Sequence, residues 1–471
     1  FVRRDAEGTQ IGVHMVDTPF ETEAPVLRYG IAFLVTPTRP RPNGYRKLRE
    51  CSWMGTNHMR KPYPINISFW NATPFFMGAP AWATSDDEVR ALYAERKRKH
   101  VPRVHNFHGL RESGARSTWY STFSHSARNS PEFIWCGEDW RTGPSDRLYG
   151  NTLYGYVLDM VAVCKTEDYS DYWLWRFDKS RREAPVIDGI YYDLMHLQRC
   201  TREDHGHGYT DREGKRQATV QIREHRKWLL RVYSYLKARD PQTPVMSHLS
   251  GHSAFLMAHS FSDYLWDGEL WVREVIRDLS YENLSLDTFR SETLDTIYGP
   301  HIRWISQLGR ALTFLTPKER KKKSLKPYAQ RHCYAMLLVH DLVPAGNDRF
   351  QQDTITLWET LDRFDLDDAD RLLPYWEKGT GVGVMPVDPS IVVTAYVKPD
   401  RALLVVFNNT DSAQDITVTL DPQRVFGGVS AGGIVWKDAE KPDGSRLGEG
   451  AELALPIALR DFRLLWVDVA E

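Results

Sequence analysis

The sequence is poor in several features that would assign it to a common class of protein. It contains 5 Cys among 471 residues, an odd and widely spaced set that implies no disulfide framework. No apolar run reaches the roughly 18 residues that a membrane-spanning helix needs. Lys and Arg total 61 against 62 Asp and Glu, so no charge excess favours nucleic acid. No Gly-rich loop ends in Lys-Ser or Lys-Thr, and we expect no nucleotide site.

Aromatic residues, by contrast, are abundant. They make up 12% of the chain and include 16 Trp. Trp and Tyr offer flat apolar faces that stack on sugar rings, although they also fill ordinary cores. The composition therefore favours a carbohydrate-active protein, and the length predicts two or three domains.

Strand-like and helix-like segments divide the chain into three predicted regions. Residues 1–43 end in a strand-like run and a Pro-rich stretch, which predicts the end of a truncated N-terminal β-domain and a linker. We expect this segment to lie on the rest of the protein or to pair with a separate chain carrying the missing β-domain. Residues 44–383 alternate between strands and helices, which predicts an α/β fold, a (β/α)8 TIM barrel. Residues 384–471 predict a C-terminal antiparallel β-sandwich.

The barrel prediction rests on eight apolar runs. Helical periodicity between them is clearest at 85–99, 170–182, 219–239 and 327–340. The eight candidate strands are 63–70, 101–108, 156–163, 187–193, 244–250, 262–269, 301–308 and 341–346.

Two of these strands end abruptly in carboxylates. Because alternate side chains of a strand share a face, Tyr191 and Asp193 are expected to point one way, and Asp267 and Glu269 likewise. Strand-end Asp residues often cap the next helix, but that explains two acids at i and i+2 less well. Glycosidases hold an acid and a nucleophile at the tips of barrel strands. We predict Asp193 as nucleophile or base and Glu269 as acid, with Asp267 able to exchange roles with Glu269.

Polar and aromatic residues at the other predicted strand tips suit the recognition of a polyol, whose hydroxyl groups both donate and accept hydrogen bonds. Any single His of this kind is more often a core residue, so the interpretation rests on the whole set. An oligosaccharide, a polysaccharide or a glycoconjugate is the expected ligand. The predicted substrate-binding residues are Trp70, His105, His108, Tyr191, His205, His207, His248, Trp266 and Gln307.

Several stretches carry a resemblance to a known group: TPTRPRP, DGIYYDL followed by CTREDHGHGYTDREGKRQ, MSHLSG and DYLWDGE. Over residues 25–471 the chain resembles uncharacterised bacterial glycoside-hydrolase-like proteins that are similar to glycoside hydrolase family 123, a β-N-acetylgalactosaminidase family. That family uses an adjacent Asp-Glu pair, with the acetamido group of the substrate as nucleophile. This chain instead has Asp-Gly-Glu on strand six and Asp193 on strand four, a placement that resembles the α-galactosidase clan.

Two other functions stay open at this point. The segment Cys200–His207 holds a Cys, an Asp and two His, all of them zinc ligands in other proteins. A metal-dependent hydrolase would use His205, His207 and His105 around an activated water. His-x-His without a second spaced pair is a weak metal signal, so we expect no cofactor, with zinc as the alternative. A non-catalytic carbohydrate-binding barrel is the third reading, and the acids on both strands argue against it.

Overall fold

The chain is described here from a computed structural model. It forms two compact units, Phe1–Thr36 and Pro37–Glu471. In the first unit, β1 (Val2–Asp5) pairs antiparallel with β2 (Gly8–Ile11). The structure describes residues 2–5, 8–13, 31–51, 67–71, 116–127, 131–143, 149–153, 156–183, 188–195, 197–293, 295–346, 351–427 and 433–469.

The centre of the larger unit is a seven-stranded parallel sheet. Up to residue 304 the strands of this unit are β3 (Glu50–Cys51), β4 (Ile67–Asn71), β5 (Arg116–Thr122), β6 (His125–Ala127), β7 (Tyr149–Leu153), β8 (Tyr156–Ala162), β9 (Gly189–Asp193), β10 (Arg199–Cys200), β11 (Tyr209–Thr210), β12 (Arg216–Gln217), β13 (Thr219–Val220), β14 (Val245–His248), β15 (Tyr264–Asp267) and β16 (His301–Trp304). The sheet order is β3-β4-β5-β9-β14-β15-β16. Because all seven strands run parallel, their carboxyl ends lie at the same edge of the sheet.

Helices connect and cover these strands. In the helix Ile222–Lys237, buried residues recur at three- and four-residue steps (His225, Trp228, Leu229, Val232 and Leu236), so one face packs on the sheet. No helix among the described residues is long and apolar enough to cross a membrane. The described α-helices are α1 (Pro131–Trp140), α2 (Glu167–Glu183), α3 (Ile222–Lys237), α4 (Leu256–His259), α5 (Val272–Asp278), α6 (Leu286–Thr293), α7 (Asp295–Tyr298), α8 (Leu308–Phe314), α9 (Pro317–Arg320), α10 (Ala329–Leu338), α11 (Gln351–Phe364) and α12 (Pro422–Phe426).

Alternation along the strands gives the parallel sheet two different faces. Leu265 and Ile302 belong to the core that the sheet shares with the helices. Tyr191 and Trp266 point to the opposite face, where their rings lie 6.3 Å apart in an edge-on arrangement. Side chains of β9 and β15, which β14 separates in the sheet, thus meet on the face away from the helices.

Buried polar contacts link the two edge strands of this sheet. The Nε atom of Arg303 on β16 lies 3.0 Å from Oε2 of Glu50 on β3, and both side chains are fully buried. The Nη1 atom of Arg303 also donates to the carbonyl of Val343 at 3.0 Å. The Gly346 N–H donates to the carbonyl of Glu50 at 2.7 Å. The segment 341–346, predicted as the eighth strand, therefore contacts both β16 and β3.

The third strand of the parallel sheet is not the segment that the sequence pattern predicts. Residues 156–163 were expected to be a barrel strand, but β8 is instead the middle strand of a three-stranded antiparallel sheet, β6-β8-β7. The third parallel position is taken by β5, a Ser- and Thr-rich segment. An apolar run predicts a strand without specifying its partners, which explains the error. The predicted strand 101–108 and helix 85–99 lie outside the described residues.

The C-terminal part contains two antiparallel sheets around one core. Val393 and Leu404 of the six-stranded sheet and Ile416 and Val418 of the three-stranded sheet belong to this core. The other face of the larger sheet packs on α10 through residues such as Phe407. The sheet orders are β17-β19-β20-β25-β22-β23 and β18-β21-β24, formed by β17 (Arg371–Leu373), β18 (Val382–Met385), β19 (Ile391–Val397), β20 (Arg401–Asn408), β21 (Gln414–Leu420), β22 (Ile434–Asp438), β23 (Arg446–Glu449), β24 (Glu452–Ile457) and β25 (Asp461–Val469).

Candidate active site

Asp193 ends β9 at the carboxyl edge of the parallel sheet, where three groups surround its Oδ1 atom. The Leu194 N–H donates at 2.8 Å and the Ser250 hydroxyl at 3.0 Å, and Nδ1 of His248 lies 2.7 Å away. Leu194 and Ser250 have φ of 55° and 52°. Residues other than glycine rarely adopt this left-handed backbone conformation, and those that do cluster at functional sites. The chain thus turns sharply after both strands to hold the Asp193 carboxylate.

His248 connects Asp193 to a second carboxylate. The Nε2 atom of His248 lies 3.5 Å from Oε2 of Glu269, and the other oxygen of Glu269 forms an ion pair with Arg310 on α8. The side chains of Asp193 and Glu269 are 16% and 19% exposed, and that of His248 is 9% exposed. Two carboxylates therefore flank one imidazole at a position that is partly exposed to solvent.

Glu269 reaches this position by a different route from the one predicted. Strand β15 ends at Asp267, and Glu269–Trp271 form one turn of 3-10 helix. Between them Gly268 has φ of 107°, and a Cβ atom there would lie 2.5 Å from the carbonyl oxygen of Ile305. The prediction that Asp267 and Glu269 share a strand face is wrong, because strand alternation ends at this glycine turn.

Asp267 lies in a different environment from the two carboxylates at His248. It is 2% exposed and is in register with Trp304, on the side of the sheet that packs against the helices. The Gly268 N–H donates to its Oδ1 at 2.6 Å, and its Oδ2 has no hydrogen-bond partner among the described residues. Burial raises the pKa of Asp267 to about 7, and Glu292 adds to the increase while the Gly268 N–H and His248 oppose it.

The other predicted substrate-binding residues lie in several places. Tyr191 and Trp266 are buried below the carboxylates, and the Tyr191 ring lies 5.8 Å from that of His248. Gln307 is fully buried, and its amide donates to the carbonyl of Ile305 at 3.1 Å. Trp70 belongs to β4, and its side chain, like His105 and His108, lies outside the described set.

His205 and His207 belong to a second cluster. Nδ1 of His205 lies 3.5 Å from Sγ of Cys200, and Nδ1 of His207 lies 3.4 Å from Sγ of Cys164. The sequence interpretation did not include Cys164, nor Ser250 and Arg310 at the first cluster. Ser250 follows His248 by two residues, which is a weak signal. Cys164 and Arg310 come from distant segments and carry no local motif.

Comparisons with known proteins inform the fold. No protein-family profile matches the chain, and no curated protein matches it. Among solved structures it is similar to the maltogenic α-amylase AmyB of Thermotoga neapolitana, with a TM-score of 0.53 and 11% identity over 90% of this chain and 99% of that one. An α-amylase from Anoxybacillus gives a TM-score of 0.52 and 11% identity over 91% and 99%.

A third solved structure gives a similar result. The cycloisomaltooligosaccharide glucanotransferase of Paenibacillus sp. superposes with a TM-score of 0.57 and 9% identity, over 90% of this chain and 85% of that one. These likenesses concern the fold and span nearly the whole chain. The protein thus shares the overall fold of α-amylase-like structures, with a parallel central sheet followed by antiparallel sheets.

Proposed function

We propose that this protein is a glycoside hydrolase in which Asp193 and Glu269 cleave a glycosidic bond. The observation that carries the proposal is the convergence of the two carboxylates on His248, at the edge of the sheet where the carboxyl ends of β9 and β15 meet. In parallel α/β folds this edge is where ligands bind and catalytic residues lie. The likeness in fold to α-amylases supports the same reading.

The proposal includes closure of the parallel sheet into a (β/α)8 barrel. The buried Arg303–Glu50 ion pair joins strands that are at opposite edges of the sheet order. The hydrogen bonds from Gly346 to Glu50 and from Arg303 to Val343 are consistent with 341–346 as the eighth, irregular strand of the barrel. Closure would bring the tips of strands four and six to one mouth.

The surroundings of Asp193 suit a carboxylate that stays ionised. Hydrogen bonds to the charged form of a carboxyl group stabilise that form, and Asp193 accepts from Leu194 and Ser250 beside the His248 imidazole. An ionised Asp193 would attack the anomeric carbon or remove a proton from the attacking water. His248 would hold Asp193 and Glu269 in a fixed relation to each other.

Glu269 would donate a proton to the leaving oxygen. Its ion pair with Arg310 favours the ionised carboxylate in the free protein. The Arg310 side chain is 43% exposed, so a sugar entering from solvent would displace the guanidinium. Loss of that positive charge would favour the protonated form of Glu269, which is the form that a general acid needs. Asp267 is buried and lies two residues before Glu269 in the chain. It would support the turn at Gly268 rather than contact the substrate.

The substrate is proposed to be an oligosaccharide, a polysaccharide or a glycoconjugate. The wild-type protein should hydrolyse at least one member of a panel of aryl glycosides. The panel should include α-glucosides, which represent the α-amylase likeness, α-galactosides, and β-N-acetylgalactosaminides, which represent the resemblance to family 123. If the protein hydrolyses none of the aryl glycosides and none of the natural oligosaccharides offered, the proposal is contradicted.

The competing metal-dependent hydrolase is tested by the same assay. A glycosidase with two catalytic carboxylates needs no metal in the bond-breaking step. At a temperature where circular dichroism shows the chelator-treated protein folded, turnover should persist. Loss of turnover under that condition, together with normal turnover of Asp193→Asn, would favour the metal-dependent mechanism.

A further inference from the structure

A second polar cluster, which we call the Cys-His cluster, lies where two segments outside the parallel sheet meet. It consists of Cys164, which follows β8, Cys200, which ends β10, and His205 and His207 in the next loop. One sulfur or nitrogen atom from each residue lies within 4.8 Å of the others. Both cysteines are free thiols rather than a disulfide.

We propose that Cys164, Cys200, His205 and His207 bind one zinc ion as a closed structural site. Zinc is bound tetrahedrally with Zn–S near 2.3 Å and Zn–N near 2.0–2.1 Å, which separates a sulfur from a nitrogen of the same site by roughly 3.5 Å. The two contacts from sulfur to Nδ1 are 3.4 Å and 3.5 Å. These two sulfur–nitrogen pairs therefore already have the spacing of a tetrahedral zinc site, and the four donor atoms all lie within 4.8 Å of one another.

The outer nitrogens of both imidazoles also have the partners that a zinc site requires. A metal-bound His normally donates its other N–H to a carboxylate or a backbone carbonyl, which fixes the ring and its tautomer. Nε2 of His205 lies 2.7 Å from the carbonyl oxygen of Asp139. Nε2 of His207 lies 3.5 Å from a carboxylate oxygen of Glu224. Both rings thus present Nδ1 to the centre of the Cys-His cluster.

The composition and burial of the Cys-His cluster indicate a structural role for the ion. Cys164, Cys200 and His207 are buried, and His205 is nearly so. Two thiolates would neutralise the charge of Zn²⁺ in this enclosed space. Four protein ligands leave no coordination position for a water or a substrate, as in structural zinc sites and unlike catalytic ones. The bound zinc would therefore not be the centre of a hydrolase.

The location of the Cys-His cluster suggests what the zinc would stabilise. Three of the four ligands lie in the segment that follows Asp193, and Cys164 lies two residues after the end of β8. The same junction has hydrogen bonds from Cys164 N to the Trp140 carbonyl at 2.6 Å and from Thr201 N to the Thr142 carbonyl at 2.9 Å. Because zinc binding is coupled to folding, the ion would hold this long loop in place next to the carboxylates.

The test measures the metal directly and is independent of glycosidase activity. Wild-type protein purified with zinc and dialysed should retain one zinc per chain. Its X-ray absorption spectrum should show two sulfur atoms at about 2.3 Å and two nitrogen atoms at about 2.0–2.1 Å. A stronger chelator should remove the zinc and lower the melting temperature.

Variants identify the ligands. Cys164→Ser and Cys200→Ser should each lose the zinc or lose one sulfur from the absorption spectrum, whereas Cys136→Ser, a cysteine outside the Cys-His cluster, should keep both. If the serine variants fail to fold, the wild-type spectrum alone decides. A dialysed wild-type protein without zinc, a shell of oxygen and nitrogen only, or a Cys164–Cys200 disulfide detected by mass spectrometry would overturn the proposal.

Discussion

The two clusters that begin and end the segment 193–207 differ in both chemistry and access. At the start of the segment, Asp193 meets His248 and Glu269 in a cluster that is partly open to solvent. At its end, Cys200, His205 and His207 join Cys164 in the buried Cys-His cluster. The open cluster offers carboxylates to a substrate, and the Cys-His cluster directs its donor atoms to its own centre.

This difference indicates a catalytic role for the open cluster and a structural role for the Cys-His cluster. Partly exposed acids beside a histidine suit proton transfer and attack on an incoming molecule. Buried thiols and imidazoles with fixed outer partners suit an ion that never meets a substrate. We therefore expect changes at the open cluster to lower turnover and leave stability nearly unchanged, and changes at buried polar groups to do the reverse.

Apart from the change at Asp193, the largest expected effect is that of Glu269→Gln on turnover. Loss of general acid catalysis lowers the rate by about 10²–10⁴-fold, and substrates with poor leaving groups should suffer most because they need protonation most. The melting temperature should stay close to that of the wild type. Rates measured on aryl glycosides of graded leaving-group ability test this prediction. An equal loss of rate for all of them would show that Glu269 is not the general acid.

The next effect concerns stability at the proposed barrel closure. Arg303→Met leaves Glu50 buried without its partner, and breaking a buried ion pair costs about 3–5 kcal/mol. The exposed pair Arg231–Asp171 supplies the control, since Arg231→Met should cost no more than about 1 kcal/mol. Urea unfolding measures both variants, and equal losses would count against a buried link between β3 and β16.

Asp267→Asn should change how stability depends on pH. The pKa of Asp267 rises from an ordinary value of 3.8 to about 7 on folding, so the folded protein binds a proton that the unfolded chain releases. The wild type loses this contribution as pH rises from about 4 to about 7, by at most about 4 kcal/mol. The stability of Asp267→Asn relative to the wild type should therefore increase with pH and level off above pH 7. A difference independent of pH, measured by urea unfolding at several pH values, would refute the raised pKa.

Asp267→Asn should also lower turnover less than Glu269→Gln does, because Asp267 is buried and supports the glycine turn rather than the substrate. The two variants should be compared on one substrate under identical conditions. A larger loss for Asp267→Asn would exchange the roles of the two acids.

The smallest effect is expected from Arg310→Gln. Removing the guanidinium beside Glu269 raises the pKa of that carboxyl group, because the ionised form loses a favourable neighbour. If Glu269 must be protonated to act, the alkaline limb of the pH profile of kcat/KM, which reports on the free enzyme, should move to higher pH. Lys318→Gln, a change at an exposed residue on α9, should leave the profile in place. A shift toward lower pH would contradict the assignment.

The sequence predicted the parts of the fold that depend on local apolar pattern. Strands β9, β14, β15 and β16 each lie within a predicted strand, and Asp193 lies at the tip of β9 as expected. The pattern failed where pairing or backbone conformation decides. Ser- and Thr-rich β5 gave no apolar signal, and β8 gave one although it pairs with an antiparallel sheet.

The candidate site shows the same limit. Strand alternation correctly suggested that Asp193 and Tyr191 share a face, since both contact His248. Alternation could not reveal the turn at Gly268, which separates Asp267 from Glu269. Cys164 could not be assigned from spacing either, because tertiary structure brings it to Cys200 from a distant segment. Residues joined only by tertiary contacts carry no periodic signal.

The most direct test of the central claim is the turnover of Asp193→Asn on the best wild-type substrate. Asp188→Asn, at the residue that immediately precedes the same strand, is the matched control. We predict that Asp193→Asn lowers turnover by at least about 10³-fold while its melting temperature stays near that of the wild type, and that Asp188→Asn remains active. Turnover of Asp193→Asn equal to that of the wild type would contradict the assignment of the carboxylates at His248 as the catalytic pair.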